Sequence, residues 1–190
     1  MPDPRKIRLT TLQRFVLGAA IFVAVPTWEQ NAQAQTDEFV LQVSATSGAK
    51  LRTLVSGDPQ QAKANILLLA GGNGVLKISG KGQIKSKKNN FLVRSRSLFA
   101  KHGYLTALVD APKDRHTKTG ISGGFRISGE HAQDLQKVVD RVQSLSNPPM
   151  VIVGTSRGTV SAANIALRTS SPQVKGLILT GSLVAADKSG

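Results

Sequence analysis

The sequence predicts an α/β fold: a mostly parallel sheet with an antiparallel hairpin at its N-terminal end and helices on both faces. Two observations carry this. Short continuous apolar runs at residues 66–70, 105–109, 150–153 and 177–179 have the length and texture of strands covered on both faces. Segments with apolar residues at helical spacing separate them, and such alternation implies right-handed crossovers within one layered domain. Composition agrees. The 190 residues are 40% hydrophobic, enough for one domain with a real core and too apolar for a disordered chain. Cysteine is absent, which excludes a disulfide scaffold and a thiolate metal site or nucleophile. Three histidines leave little room for a His-rich metal centre, so no metal site is expected.

Residues 1–34 read as an address label. Arg5, Lys6, Arg8 and Arg14 precede an apolar run at residues 15–25, and Ala32-Gln33-Ala34 supplies small residues beyond Pro26. That order is the pattern of a secretory signal cleaved after Ala34, and the run is shorter than the roughly 20 residues of a membrane span. An exported domain, residues 35–190, is the expectation. It opens with Phe39, Leu41 and Val43 in alternation, a turn at Ser47-Gly48-Ala49, and a second extended piece at residues 51–55, which together make a hairpin. Phe91, Leu92, Ser95, Leu98 and Phe99 mark a first helix, ended by Gly103, with its two phenylalanines packed inward. Leu135, Val138, Val139 and Val142 mark a second helix between Ser128 and Ser144. The alanine-rich residues 159–168 make a third.

Chemistry concentrates at one turn. Gly154-Thr155-Ser156-Arg157-Gly158 fits Gly-x-Ser-x-Gly, directly after the strong strand at 150–153 and directly before a small-residue helix. Such a tight strand-to-helix turn holds its serine in a strained conformation at the carboxyl edge of the sheet. The flanking glycines, Gly154 and Gly158, are required because a side chain there would strike the neighbouring strand or helix. Ser156 would stand over a helix N-terminus, where backbone N–H groups favour developing negative charge. Ala70-Gly71-Gly72-Asn73-Gly74 follows the strand at 66–70, and one N–H from it, with that of Arg157, would make a two-donor oxyanion hole. Gly74 is followed by Val75, not the Lys-Ser/Thr of a phosphate loop. Lys77 occupies the third glycine position of a dinucleotide fingerprint, so nucleotide readings are weak.

From residue 39 to 190 these motifs, in this order, resemble the α/β-hydrolase superfamily, and Gly154–Gly158 followed by Ser161-Ala162-Ala163-Asn164 resembles a group of exported bacterial hydrolases within it. The resemblance implies Ser156 as nucleophile, Arg157 and Gly72 or Asn73 as oxyanion donors, a small-molecule acyl substrate (an ester, an amide or a related acyl compound), and no cofactor. It also implies an acid and then a histidine after the nucleophile. The sequence ends 34 residues after Ser156, contains no later histidine, and offers only Asp187 as a later acid. The expectation is therefore the N-terminal portion of such a domain, without its last strands, inactive or impaired because a serine hydroxyl without a base is a poor nucleophile. Two earlier histidines are candidates for a substitute base. His131 lies four residues before Leu135, on the apolar face of its helix, where a packing or hydrogen-bonding role is expected; His116 lies in the loop after Asp110. His102 reads as a helix cap, and Asp110 as a residue that fixes a loop.

The charge balance raises another possibility. Lys and Arg total 25 against 11 Asp and Glu, for a formal charge of +14, and no acid occurs between Asp58 and Asp110. Lys81, Lys85, Lys87 and Lys88 stand in that interval and would suit an anionic surface or polymer, although Ile78-Ser79-Gly80-Lys81-Gly82 also reads as a surface loop whose lysines are merely solvated. Aromatic residues are only 4%, too few for the stacking that single-strand nucleic-acid binders use, so nucleic acid is not the expected partner. A non-catalytic exported binding protein and a fragment without function are the alternatives to a hydrolase.

Overall fold

A computed structural model describes residues 37–182. The signal-like residues 1–34 and Asp187 lie outside the described residues. Among the described residues six strands form one sheet in the order β1-β2-β4-β3-β5-β6. β1 (Glu38–Ser44) and β2 (Lys50–Ser56) make the hairpin, whose turn places Gly48 at φ 82°. β2 runs antiparallel to β4 (Leu105–Val109), while β4, β3 (Asn65–Leu69), β5 (Met150–Thr155) and β6 (Val174–Thr180) are mutually parallel.

The two faces of the sheet are covered by different helices. α1 (Phe91–Lys101) lies over Ile66, Leu68, Leu108 and Val153 through Leu92 and Val93. α2 (Gly129–Gln143) and α3 (Gly158–Arg168) cover the other face, packing Leu135, Val138, Val139, Val142, Ala162 and Ile165 against Leu67, Leu69, Ala107 and Ile152. Every residue of β3 and β4 is buried, as continuous apolar runs require in a doubly covered sheet. Polar anchors tie the layers together. The buried Asp134 of α2 accepts hydrogen bonds from the Thr46 backbone N–H (2.5 Å) and hydroxyl (2.7 Å), fixing the hairpin turn to the helix. Among the described residues no helix is long and apolar enough to cross a membrane.

Three readings of the sequence change. Phe91 and Leu98 belong to α1 but face outward, 51% and 57% exposed, because the helix seats itself on Leu92 and Val93 and leaves Phe99 only partly covered. The run at 177–179 is a strand but not a covered one. Leu177, Ile178 and Leu179 are 41–49% exposed, since among the described residues β6 has β5 as its single strand neighbour. Ile78, expected in a solvated loop, is buried and pairs with Ile84 across a short bridge.

The topology positions the site. β3 is followed by a loop leading to α1 on one face, and β5 by α3 on the other, although the two strands are neighbours. Such a switch point leaves a crevice at the carboxyl ends of the strands. Leu69, Val109 and Gly154 stand side by side in the register, so the loops after all three strands leave from the same edge.

Candidate active site

Ser156 occupies the turn between β5 and α3 with φ 51°. The left-handed region disfavours a residue with a side chain and persists where the surroundings enforce it. Here the turn is enforced from both ends. The Ser156 N–H donates to the Thr180 carbonyl of β6 (2.9 Å), and its own carbonyl accepts from the Thr159 N–H (2.9 Å) and hydroxyl (2.6 Å). The flanking glycines leave no room for alternatives. A Cβ on Gly154 would stand 2.6 Å from the Gly158 carbonyl oxygen, and one on Gly158 would stand 2.0 Å from that of Leu69. Strand, turn and helix therefore interlock through close backbone contact at both glycines. Arg157 is the N-terminal flanking residue of α3, which sets the helix N-terminus beside Ser156.

The loop after β3 closes against this turn. A Cβ on Gly71 would lie 2.9 Å from the Ser156 Cβ and 3.5 Å from its Oγ, so Gly71, not only the Gly72-Asn73 pair named from the sequence, is the residue laid against the serine. The loop turns through Gly72 (φ 63°) and Gly74 (φ 74°), while the Asn73 side chain holds Val75 N–H and the Lys118 carbonyl. The Lys87 ammonium overhangs the same loop: a Cβ on Gly72 would meet its Nζ at 3.3 Å. Lys81, Lys85, Lys87 and Lys88 are exposed. A groove of about 940 Å³ between this segment and α1 is lined in part by Lys85, Lys88, Arg94 and Arg96.

Behind the loop lies a buried polar group that the sequence did not announce. Arg126 is 5% exposed. Its Nη2 donates to the carbonyls of Ala70 (3.2 Å) and Gly72 (3.0 Å), and its Nη1 donates to Ser161 Oγ (2.7 Å) on α3. Burial and the nearby Arg157 charge lower its pKa to about 10, which still leaves it protonated at neutral pH. Asn164, also on α3, donates to the Arg126 and Ser128 carbonyls, fixing the backbone that carries the guanidinium.

His131 completes this group rather than reaching Ser156. Its Nε2 lies 2.9 Å from Ser161 Oγ, its ring packs on Phe125, and it is 4% exposed. Burial, then the charges of Arg126 and Arg115, lower its pKa to about 3, so the ring is neutral at pH 7. A guanidinium only donates, so Ser161 accepts from Arg126 and has its own proton to give to His131. His116 lies elsewhere, with Nε2 3.0 Å from the Ala111 carbonyl and 3.4 Å from Asp110 Oδ2. His102 is the C-terminal cap of α1. All three histidines of the sequence are thus among the described residues, and none hydrogen-bonds to Ser156.

Asp110 fixes a loop. Its carboxylate accepts from the N–H groups of Leu76 (2.7 Å), Lys77 (3.3 Å), Ile78 (2.8 Å) and Ala111 (2.8 Å). The chain wraps around it through Lys77 at φ 56°. Among the described residues no cluster of three His, Asp or Glu is placed to hold a metal ion.

Comparison with family models and with curated proteins returns no match, whereas comparison with solved structures does. A soluble variant of monoglyceride lipase from Saccharomyces cerevisiae, with a substrate analog, superposes at TM-score 0.57 and 20% identity over 80% of this chain and 46% of the lipase. A cold-adapted esterase from an Arctic intertidal metagenomic library gives 0.55 at 15% identity over 75% of this chain and 59% of the esterase. A thermostable carboxyl esterase from Bacillus coagulans gives 0.54 at 18% identity over 75% and 43%. The chain has the α/β-hydrolase fold. It spans 43–59% of the length of these three proteins, and the likeness is one of fold.

Proposed function

We propose that this chain is the nucleophile-bearing part of an acyl hydrolase acting on a small ester, with Ser156 as the nucleophile. The observation that carries the reading is the strained Ser156 backbone at the strand–helix turn, with Gly71 laid against its side chain. Ser156 Oγ attacks the acyl carbon, and the carbonyl oxygen takes up negative charge. The Arg157 N–H at the start of α3 and N–H groups of the Gly71-Gly72-Asn73 loop stabilise that charge; each such donor contributes roughly 3–4 kcal/mol in well-studied cases. The alcohol leaves, and water releases the acyl group from Ser156. The proton of Ser156 needs a base, and all three histidines are engaged or placed elsewhere. The 190 residues alone therefore turn over slowly, at the level of roughly 10³–10⁴-fold over water that survives loss of a triad member. Export, with removal of residues 1–34, is part of the proposal.

The test is labelling of the full chain with a fluorophosphonate probe beside Ser156→Ala. Slow labelling that disappears in the variant supports the reading. Equal labelling of both proteins contradicts it. One feature favours a second reading, a non-catalytic role at an anionic polymer: the groove lined by Lys85, Lys88, Arg94 and Arg96. That reading predicts salt-sensitive retention on an anionic matrix that survives Ser156→Ala and falls on replacing Lys85 and Lys88.

A further inference from the structure

We propose that Arg126 is the positioning residue of the oxyanion loop: it holds the Ala70 and Gly72 carbonyls back so that the Gly71 and Asn73 N–H groups face away from it, toward the reacting oxygen. The inference rests on the serine-hydrolase reading for its purpose, but its geometry stands independently.

The argument begins with the peptide group. Among the described residues every peptide bond is trans, and in a trans peptide the C=O and the following N–H point in opposite directions. Fixing the Ala70 carbonyl therefore fixes the Gly71 N–H, and fixing the Gly72 carbonyl fixes the Asn73 N–H. Both carbonyls are fixed by one nitrogen, Arg126 Nη2, at 3.2 and 3.0 Å. The two amides directed the other way have no hydrogen-bond partner among the described residues. An amide without a partner is costly once water is excluded, so a loop with alternate glycines free to rotate would turn them inward unless something held the carbonyls. Gly71, Gly72 and Gly74 supply that freedom; Arg126 removes it.

Arginine suits the task where lysine would not. Its planar fork presents several donors in fixed directions. While Nη2 bridges the two carbonyls, Nη1 reaches Ser161 Oγ at 2.7 Å. Ser161 lies on α3, the helix that begins at the Ser156 turn, so one guanidinium sets the distance between the nucleophile's helix and the loop. Among the described residues no carboxylate pairs with Arg126. A buried cation compensated only by two carbonyls and a hydroxyl, with its Nε left without a partner, is an expensive arrangement for mere packing. The carbonyls it engages belong to the loop whose Gly71 lies against Ser156.

The experiment compares the full chain with Arg126→Lys, Arg126→Gln and a control, Arg115→Gln. Arg115 lies 3.4 Å over the Phe125 ring, so the control removes a nearby charge that does not touch the loop. Two readouts are taken: backbone ¹⁵N order parameters of Gly71, Gly72 and Asn73, and the rate constant and saturation constant for phosphonylation of Ser156. Both Arg126 variants are expected to lower the order parameters from about 0.85 toward 0.6. They should also slow phosphonylation by about tenfold or more at unchanged saturation, while the control matches the parent. Loop order unchanged in folded Arg126→Gln overturns the proposal. If neither variant folds, the parent decides: hindered rotation and slow exchange of the Arg126 Nη protons support the clamp, and freely rotating, rapidly exchanging protons overturn it. A loosened loop with no phosphonylation of the parent would refute the hydrolase reading and leave the clamp standing. Phosphonylation of the parent with an unaffected loop in the variants would do the reverse.

Discussion

β5 carries Ser156 between two neighbours of similar composition and opposite surroundings. On one side, β3 reads Asn-Ile-Leu-Leu-Leu and is buried throughout. On the other, β6 contains Leu177-Ile178-Leu179, all 41–49% exposed. An apolar run states that a segment can be buried, not that anything covers it. β3 has strands on both sides, α1 on one face, and α2 and α3 on the other, whereas among the described residues β6 has β5 alone as a strand partner and α3 against it. The polar groups that shape the site gather on the covered flank, where low dielectric strengthens them.

This contrast can be broken or sharpened by substitution. The largest effect is expected where the two flanks lock together. Gly158→Ala places a methyl 2.0 Å from the Leu69 carbonyl oxygen, a backbone overlap that no rotamer relieves. We expect loss of cooperative unfolding or more than about 3 kcal/mol of destabilisation, together with loss of Ser156 labelling. Leu67→Ala, in β3, should cost about 2–5 kcal/mol in urea denaturation. Asp110→Ala strands the N–H groups of the buried Leu76 and Ile78, at about 1–3 kcal/mol each, and should speed amide exchange through residues 75–78.

Acid should act through the covered flank as well. The His131 pKa falls from 6.5 to about 3 on folding, so between those values the unfolded chain binds more protons than the folded one. Stability is then lost as pH falls through this window, by up to about 1.4 kcal/mol per pH unit. His131→Gln should flatten the slope between pH 6 and 4; an unchanged slope would place the acid sensitivity elsewhere. The smallest effect is expected on the open flank. Ile178→Lys should shift stability by no more than about 0.5 kcal/mol while reducing self-association, which light scattering would read.

The sequence carried the elements and the turn at Ser156 because both are local. Alternation marks the hairpin, helical spacing marks α2, and Gly154 and Gly158 frame a serine within five residues. The sequence also assigned Asp110 to a loop, since a carboxylate ending a strand meets backbone N–H groups readily. What it could not show was which side of α1 meets the sheet, since Phe91 and Leu98 are as apolar as Leu92 and Val93. Nor could it show Arg126. A lone arginine between Phe125 and Ile127 reads as solvated, and two of its three partners are backbone carbonyls 54 and 56 residues earlier, which leave no side-chain signature. The available hint was Ser161 and Asn164, polar residues on the buried side of an alanine-rich helix.

The central claim is that Ser156 is a nucleophile held in place by the fold. The most direct test is peptide mapping by mass spectrometry of the folded full chain after prolonged exposure to a fluorophosphonate. The account predicts one adduct, on the peptide that contains Ser156, absent after Ser156→Ala. Adducts spread over several serines, or a folded chain whose Ser156 remains unmodified, would contradict it.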